Sequence, residues 1–300
     1  DMNKIPNGRV AGSGGVIAIL GFIIGILIFI AYRTFILQTE SFLIEMLVLL
    51  SVVFFLTGIG LIDDLLGWRK GGLRKRHRLV LVAIAAIPLM VINAGESLVS
   101  IPFFGVVDLG LVYPLIVIPI GIVGAATTFN FLAGFNGLEA GQGILLMLAL
   151  GLASFFTGNS WLFIIALCMV ASLLAFLTFN FFPAKIFPGD SLTLPIGGLI
   201  AVISILGDFE KFAIFIFIPY IIETGLKLRG KLIKQSFGKP KKDGSLELLY
   251  DKIYSLNHLA IFLMKKLNIK PTEKRVVYSI WIFQVIVIII GIIIFREGIF

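Results

Sequence analysis

The chain has 300 residues, of which 59% are hydrophobic and only 14% charged, and its mean hydropathy is +1.07. That leaves too little polar surface to cover a soluble core of this size, while the long apolar runs match the roughly 20 helical residues needed to cross hydrocarbon. The net charge of +8 would point to nucleic acid in a soluble protein. Here it reads as charge that holds loops on the cytoplasmic side, and no nucleic-acid partner is expected.

In chain order, residues 1–14 are polar, and the apolar run after them is too long for a cleavable signal core. Nine spanning helices are predicted: 15–32, 41–62, 79–93, 111–129, 141–157, 161–181, 191–206, 211–228 and 276–295. Together they make one all-α polytopic membrane domain over 1–300. The alternating strands of a membrane barrel are not visible. Pro88 and Pro219 should kink their helices, since each removes a backbone donor. The alternating stretch Val99 to Val107 predicts a small outer hairpin at 97–109. In the segment 229–275, apolar residues recur at helical spacing from Leu246 to Leu267 (Leu249, Ile253, Leu256, Leu259, Leu263). An amphipathic helix is expected there, lying on the membrane surface or covering a site. Cys168 is the single cysteine, which excludes an intrachain disulfide.

With the N-terminus placed in the cytoplasm, 22 of the 25 Lys and Arg fall on the inner side; Arg33, Lys211 and Arg296 do not. A bias of this size fixes the orientation. It also gathers four polar clusters at one water–membrane boundary. Asp63-Asp64 is the first, read as a carboxylate pair at a helix end. Such a pair is costly unless hydrated, paired or bound to metal. The basic run Arg69 to Arg78 follows, suited to lipid headgroups or to bidentate contact with phosphate oxygens. The second cluster, Asn130 to Gly143, sets Asn130, Asn136 and Glu139 among glycines. Amide oxygens are hard ligands suited to Mg²⁺, whereas close helix packing explains the glycines alone. The third runs from Asn180 to Ser191: Asp190 opens a helix, as a cap or a ligand, and Phe187 stands ready to stack or to pack. The fourth is the basic stretch from Lys227 to Arg275, with thirteen cations, and contains Asn257-His258. The Asp pair, Asn130 and Asp190 are expected to converge on one divalent ion.

The order Asp63-Asp64-x-x-Gly67, Asn130-x₅-Asn136-Gly-Leu-Glu-Ala-Gly and Phe187-x-Gly-Asp190 resembles the polyprenyl-phosphate N-acetylhexosamine-1-phosphate transferase superfamily over essentially the whole chain. The stretch Phe131 to Gln142 is especially similar to the dolichyl-phosphate N-acetylglucosaminephosphotransferase branch; the muramoyl branch typically carries Asp where Asn136 stands. The resemblance implies ten membrane helices, so one helix is expected to be missing from these nine. It implies transfer of a sugar-1-phosphate from a UDP-sugar to a polyprenyl or dolichyl phosphate, with release of UMP. It places the enzyme in the plasma or endoplasmic reticulum membrane, with the site facing the cytoplasm, and implies a homodimer.

Carried over by position, Asn130 and Asp190 hold Mg²⁺, with Mn²⁺ as the alternative ion. Asp63 binds or deprotonates the lipid phosphate and Asp64 supports it. Asn136 and Phe187 contact the uracil. Arg78 contacts the diphosphate where relatives often have Lys, and His258 contacts phosphate or sugar. Glu139 is counted with the substrate-contacting residues. His258 lacks the adjacent Arg common in that loop, which leaves the sugar open among the UDP-N-acetylhexosamines. A secondary transporter is the reading from another class; the absence of repeated halves and of midplane acids in the clusters speaks against it.

Overall fold

The computed structural model describes residues 2–3, 10–101 and 105–295, with backbone only at 68–70, 99–101 and 105–106. The sequence-predicted cytoplasmic cations Lys4 and Arg9, together with Arg296 and the hairpin tip 102–104, lie outside the described residues. Twelve α-helices are present among those described. They are α1 (Gly15–Ala31), α2 (Leu43–Lys70), α3 (Lys75–Ala85), α4 (Ile87–Val91), α5 (Ile118–Phe131), α6 (Leu138–Phe156), α7 (Ser160–Asn180), α8 (Asp190–Leu206), α9 (Glu210–Ile216), α10 (Ile218–Arg229), α11 (Leu256–Lys266) and α12 (Glu273–Phe295). Short π-helical stretches continue α1 (Tyr32–Ile36) and precede α5 (Tyr113–Val117). The expected hairpin forms from β1 (Leu98–Ile101) and β2 (Gly105–Asp108), antiparallel with Val99 opposite Val107. A second, two-residue ladder joins β3 (Lys239–Pro240) to β4 (Leu246–Glu247).

Six helical stretches are long and apolar enough to cross a membrane: Gly15–Ile36, Leu43–Gly67, Tyr113–Phe131, Leu138–Phe156, Ser160–Asn180 and Glu273–Phe295. The nine expected spans therefore do not all appear as full-length helices, and two of the three shortfalls have a proline behind them. The 79–93 run is divided between α3 and α4, and the 211–228 run between α9 and α10. Pro88 and Pro219 each sit in the first turn after the break, where their missing N–H costs least. The third, α8, has 17 residues and is buried from Ser191 to Ile205. It packs among α1, α2, α5 and α6, so protein rather than lipid surrounds it.

Small residues let α8 sit at the centre. A Cβ at Gly197 would lie 2.5 Å from the Ala125 carbonyl oxygen and 2.6 Å from Ala126 Cα of α5, and one at Gly60 of α2 would collide with the Asp190 backbone. Helix backbones approach this closely only where side chains are absent. The consequence for function is direct, because Asp63 on α2 and Asn130 on α5 lie one turn from these contacts and Asp190 on α8 is one of them.

Two further expectations are corrected. Asp63-Asp64 does not end its helix: α2 runs on to Lys70 and stops where Gly71 and Gly72 take φ of 76° and 86°, a left-handed exit favourable to glycine. The 246–267 periodicity overstates its helix. Helix α11 begins only at Leu256, capped by Ser255, whose Oγ accepts from Asn257 N at 3.3 Å. Leu249 and Ile253 precede it, because β4 and the irregular chain after it hold that stretch. Leu256, Asn257, His258 and Ile261 of α11 are buried against the bundle, while Phe262 and Leu263 on its other face are exposed.

Candidate functional site

Of the Asp pair, Asn130 and Asp190, which were expected to converge, Asp63, Asn130 and Asp190 are brought together. The Arg78 guanidinium lies between the two carboxylates, with Nη1 donating to Asp63 Oδ2 at 3.1 Å and to Asp190 Oδ2 at 2.9 Å. Asn130 Nδ2 donates to Asp190 Oδ1 at 2.7 Å and to Thr193 Oγ1 at 2.8 Å. Asp63 is buried, and its second oxygen accepts from Leu73 N at 2.5 Å, so the turn after α2 is folded back onto its own acid. A single cation thus already sits between carboxylates from α2 and α8.

Asp64 is turned elsewhere. Its Oδ1 accepts from Asp190 N at 2.8 Å and its Oδ2 from Ser191 N at 3.2 Å. The α8 N-cap, Gly189, has no side chain and takes φ +72°; a Cβ there would collide with the Asp64 carboxylate. Asp64 therefore caps α8 from a neighbouring helix, satisfying exposed N–H groups at the positive end of its dipole. This frees the Asp190 side chain from the capping role open to it in the sequence.

Three cavities meet here. An open one of about 560 Å³ is lined by Asp63, Asp64, Lys75, Arg78 and Asp190. One of about 350 Å³ has a basic rim, Lys75, Arg78, Lys227 and Lys234, over apolar walls that include Leu79, Phe131 and Leu232. A third, of about 280 Å³, is lined by Asn136, Glu139, Asn180, Phe187 and Phe237. Arg78 borders the first two, Asn130 the last two, and Asp190 the first and third. The arrangement offers a place for negative oxygens, an apolar-walled entry and an aromatic-amide slot around one point. Asn136 and Phe187 thus share a wall. Glu139 does too, but its Oε1 is taken by the Gly134 N–H at 2.8 Å, and its Oε2 is buried with no hydrogen-bond partner.

His258 is fully buried and lines none of these cavities. Its Nδ1 accepts weakly from Tyr254 N at 3.4 Å, and its Nε2 lies 3.1 Å from the Phe237 carbonyl oxygen, an arrangement that fits the neutral ring with the proton on Nε2. Burial pushes its pKa below the usual 6.5, partly offset by the Phe237 carbonyl, with Lys227 adding a small further depression. In the unfolded chain His258 binds a proton more readily, so its contribution to stability is present above pH 6.5 and lost as pH falls below it. The thermal midpoint should drop between pH 7 and pH 5, and this slope should flatten in His258→Gln. Equal slopes in both proteins would show that the ring does not stay neutral when folded.

The sequence reading passed over several residues. Lys227 and Lys234 face the basic cavity from 149 and 156 positions beyond Arg78, and charge alone did not separate them from eleven other cations of that segment. Glu223, fully buried on α10, accepts from Leu256 N at 2.6 Å and Ser255 Oγ at 3.2 Å, fastening α11 to the bundle. An acid inside a predicted span was the available signal.

As donors, the Asp63 and Asp190 carboxylates and the Asn130 amide oxygen are hard oxygens of the kind Mg²⁺ takes. No group of three or more His, Cys, Asp or Glu suited to a metal is gathered among the described residues. An ion here would have few protein ligands, which is the habit of Mg²⁺ beside phosphate.

Residues 46–208 match glycosyl transferase family 4. The chain is 36% identical over 296 residues, 98% of it and 86% of the relative, to a Saccharolobus solfataricus protein provisionally named UDP-N-acetylglucosamine–dolichyl-phosphate N-acetylglucosaminephosphotransferase. It is 30% identical over 258 residues, 75% of it and 53% of the relative, to the Schizosaccharomyces pombe protein of that name. It is 34% identical over 200 residues, 62% of each chain, to the phospho-N-acetylmuramoyl-pentapeptide-transferase of Lactiplantibacillus plantarum. Six membrane-length apolar helices, a site built on the matched segment and these likenesses agree: the chain belongs to glycosyl transferase family 4 and is a membrane enzyme of the glycosyl-1-phosphate transferase class.

Proposed function

We propose that the protein transfers N-acetylglucosamine-1-phosphate from UDP-N-acetylglucosamine to a polyprenyl phosphate of the dolichyl type. The products are UMP and a lipid-linked diphosphate sugar, the first intermediate of lipid-linked glycan assembly. The observation that carries this reading is the Arg78 bridge between Asp63 and Asp190, with Asn130 on Asp190, where the three cavities meet. In this reading the helix pairs α3–α4 and α9–α10 and the enclosed α8 also traverse the bilayer, which gives nine spans with the site on the cytoplasmic side.

The chemistry follows from charge and position. A lipid phosphate must approach a nucleotide diphosphate, anion against anion, so neutralisation and alignment dominate. Lys75, Arg78, Lys227 and Lys234 receive the lipid phosphate, whose chain leaves along the apolar wall of their cavity. The uracil enters the slot between Asn136 and Phe187. An oxygen of the lipid phosphate attacks the sugar-bearing phosphorus in line, and the bond to the UMP oxygen breaks. Direct displacement suits this geometry, because Asp63 is already held by Leu73 N and Arg78. It orients the lipid phosphate and accepts its proton when one is present. Asn130 and Asp190 would hold Mg²⁺, which when bound would supply neutralisation of the diphosphate.

The test is purified protein with dolichyl or undecaprenyl phosphate, a panel of UDP-N-acetylhexosamines and Mg²⁺, with the lipid product identified by mass. The expected product carries N-acetylhexosamine and two phosphates, formed with stoichiometric UMP and most rapidly from UDP-N-acetylglucosamine. A muramoyl-pentapeptide product would move the protein to the other branch. Uptake of substrate by empty liposomes without any lipid product would overturn the reading.

A further inference from the structure

The turn Gly134 to Gly137, which carries Asn136 into the aromatic-amide slot, has no secondary structure of its own to satisfy its amides. Three helices do so instead. Gly134 N donates to Glu139 Oε1 of α6 at 2.8 Å, Asn136 N to Glu273 Oε1 of α12 at 2.8 Å, and Gly137 N to Asn180 Oδ1 of α7 at 3.2 Å. Glu273 is 4% exposed and Asn136 3% exposed, so their bond is shielded from water and acts at short range in a weakly polarisable setting. Asn3 adds a strut: its Nδ2 donates to the Gly134 carbonyl at 2.8 Å and to Glu273 Oε1 at 3.4 Å, while its Oδ1 accepts from Gly238 N at 3.2 Å.

We infer that Glu273, at the start of the last helix, is a positioning residue that sets nucleotide specificity by holding the Asn136 backbone where its side-chain amide faces the slot. The inference rests on the assignment of that slot to the nucleotide base. Glu273 lies 65 residues beyond the segment matched to the family and lines none of the three cavities; it acts through Asn136. A charged acceptor is the strongest hold available for a backbone N–H. Without it, the Asn136 amide is buried without its partner and the turn must shift to find another. Such a shift is felt first by the group that Asn136 reads and least by the phosphate chemistry at Arg78.

The experiment uses the full-length protein in detergent or nanodiscs, with UMP release measured at saturating lipid phosphate and UDP-N-acetylglucosamine varied, and with CDP and UDP as competing inhibitors. Glu273→Ala should raise KM for the UDP-sugar about tenfold with kcat within about twofold, and should narrow the preference for UDP over CDP by a similar factor. Glu273→Gln, whose side-chain oxygen accepts the same N–H, should recover most of both. Glu273→Asp, which keeps the helix start and charge but withdraws the acceptor, should fall between them, and it carries the test if the alanine variant does not fold. Wild-type KM and wild-type UDP-over-CDP preference in the alanine variant, or in the aspartate variant where that one serves, overturn the inference. An equal fall of kcat across all variants with KM unchanged overturns it too. A wild-type protein that releases no UMP condemns instead the transferase reading beneath it.

Discussion

Asp190→Asn should lower Mg²⁺-dependent UMP release by about 10²- to 10³-fold, the scale on which one electrostatic contact at a reacting centre matters, while the protein still folds. The structure separates these two outcomes. The Asp190 backbone N–H begins α8, but the cap on that helix is the Asp64 carboxylate, through Asp190 N and Ser191 N. The Asp190 side chain is directed instead to Arg78 and Asn130. Asparagine keeps its size and one acceptor oxygen, enough for Arg78 or Asn130 but not for both, while the Asp64 cap on α8 is untouched. What it removes is the negative charge that holds a cation against α8. The thermal midpoint, measured on the same preparation, should stay within a few degrees of wild type. Near-normal turnover in this variant would show that the carboxylate is not part of the chemistry.

The second large effect is expected far from any polar group. Gly197→Val should destabilise the bundle by about 1–3 kcal/mol or more and abolish most of the activity. A side chain at 197 would press on the Ala125 carbonyl and on Ala126 Cα, which belong to backbone with no room to rotate away. Thr193 lies one turn before Gly197 on α8, and Asn130 lies one turn after Ala126 on α5. The Asn130–Thr193 bond at 2.8 Å and the Asn130–Asp190 bond at 2.7 Å therefore depend on the closeness of these two helices. Gly197→Ala should show the same losses in smaller measure. Thermal unfolding and UMP release of both variants provide the check, and wild-type values for valine would mean that α5 and α8 are free to separate without consequence.

Much of the site was legible because membrane burial makes polar residues conspicuous. Asp63, Asn130 and Asp190 interrupt apolar runs at ends that topology places on one face, and the structure brings the two acids to Arg78 and Asn130 to Asp190. Sequence spacing carries no information on which way an acid points. Asp63 and Asp64 are adjacent, yet one faces Arg78 and the other caps α8. The partners of the 134–137 turn were equally hidden, since Asn136 and Glu273 stand 137 residues apart and Glu273 falls in the cytoplasmic segment before the predicted 276–295 span. His258 illustrates the reverse error. A histidine in a basic cytoplasmic segment looks available to phosphate, whereas here its ring is buried behind Phe237. Helix boundaries suffered where periodicity outran the hydrogen bonding, as between Leu246 and Ser255, and where Pro88 and Pro219 divided runs that hydropathy alone joins.

The most direct measurement is a diffraction or cryo-EM structure of the protein with UDP and Mn²⁺, the manganese located by its own scattering in place of magnesium. The predicted result is one ion bonded at about 2.1–2.2 Å to an Asp190 oxygen and the Asn130 amide oxygen, with the diphosphate beside Arg78 and the uracil between Asn136 and Phe187. An ion and nucleotide bound away from both Asn130 and Asp190 would contradict the site at its root.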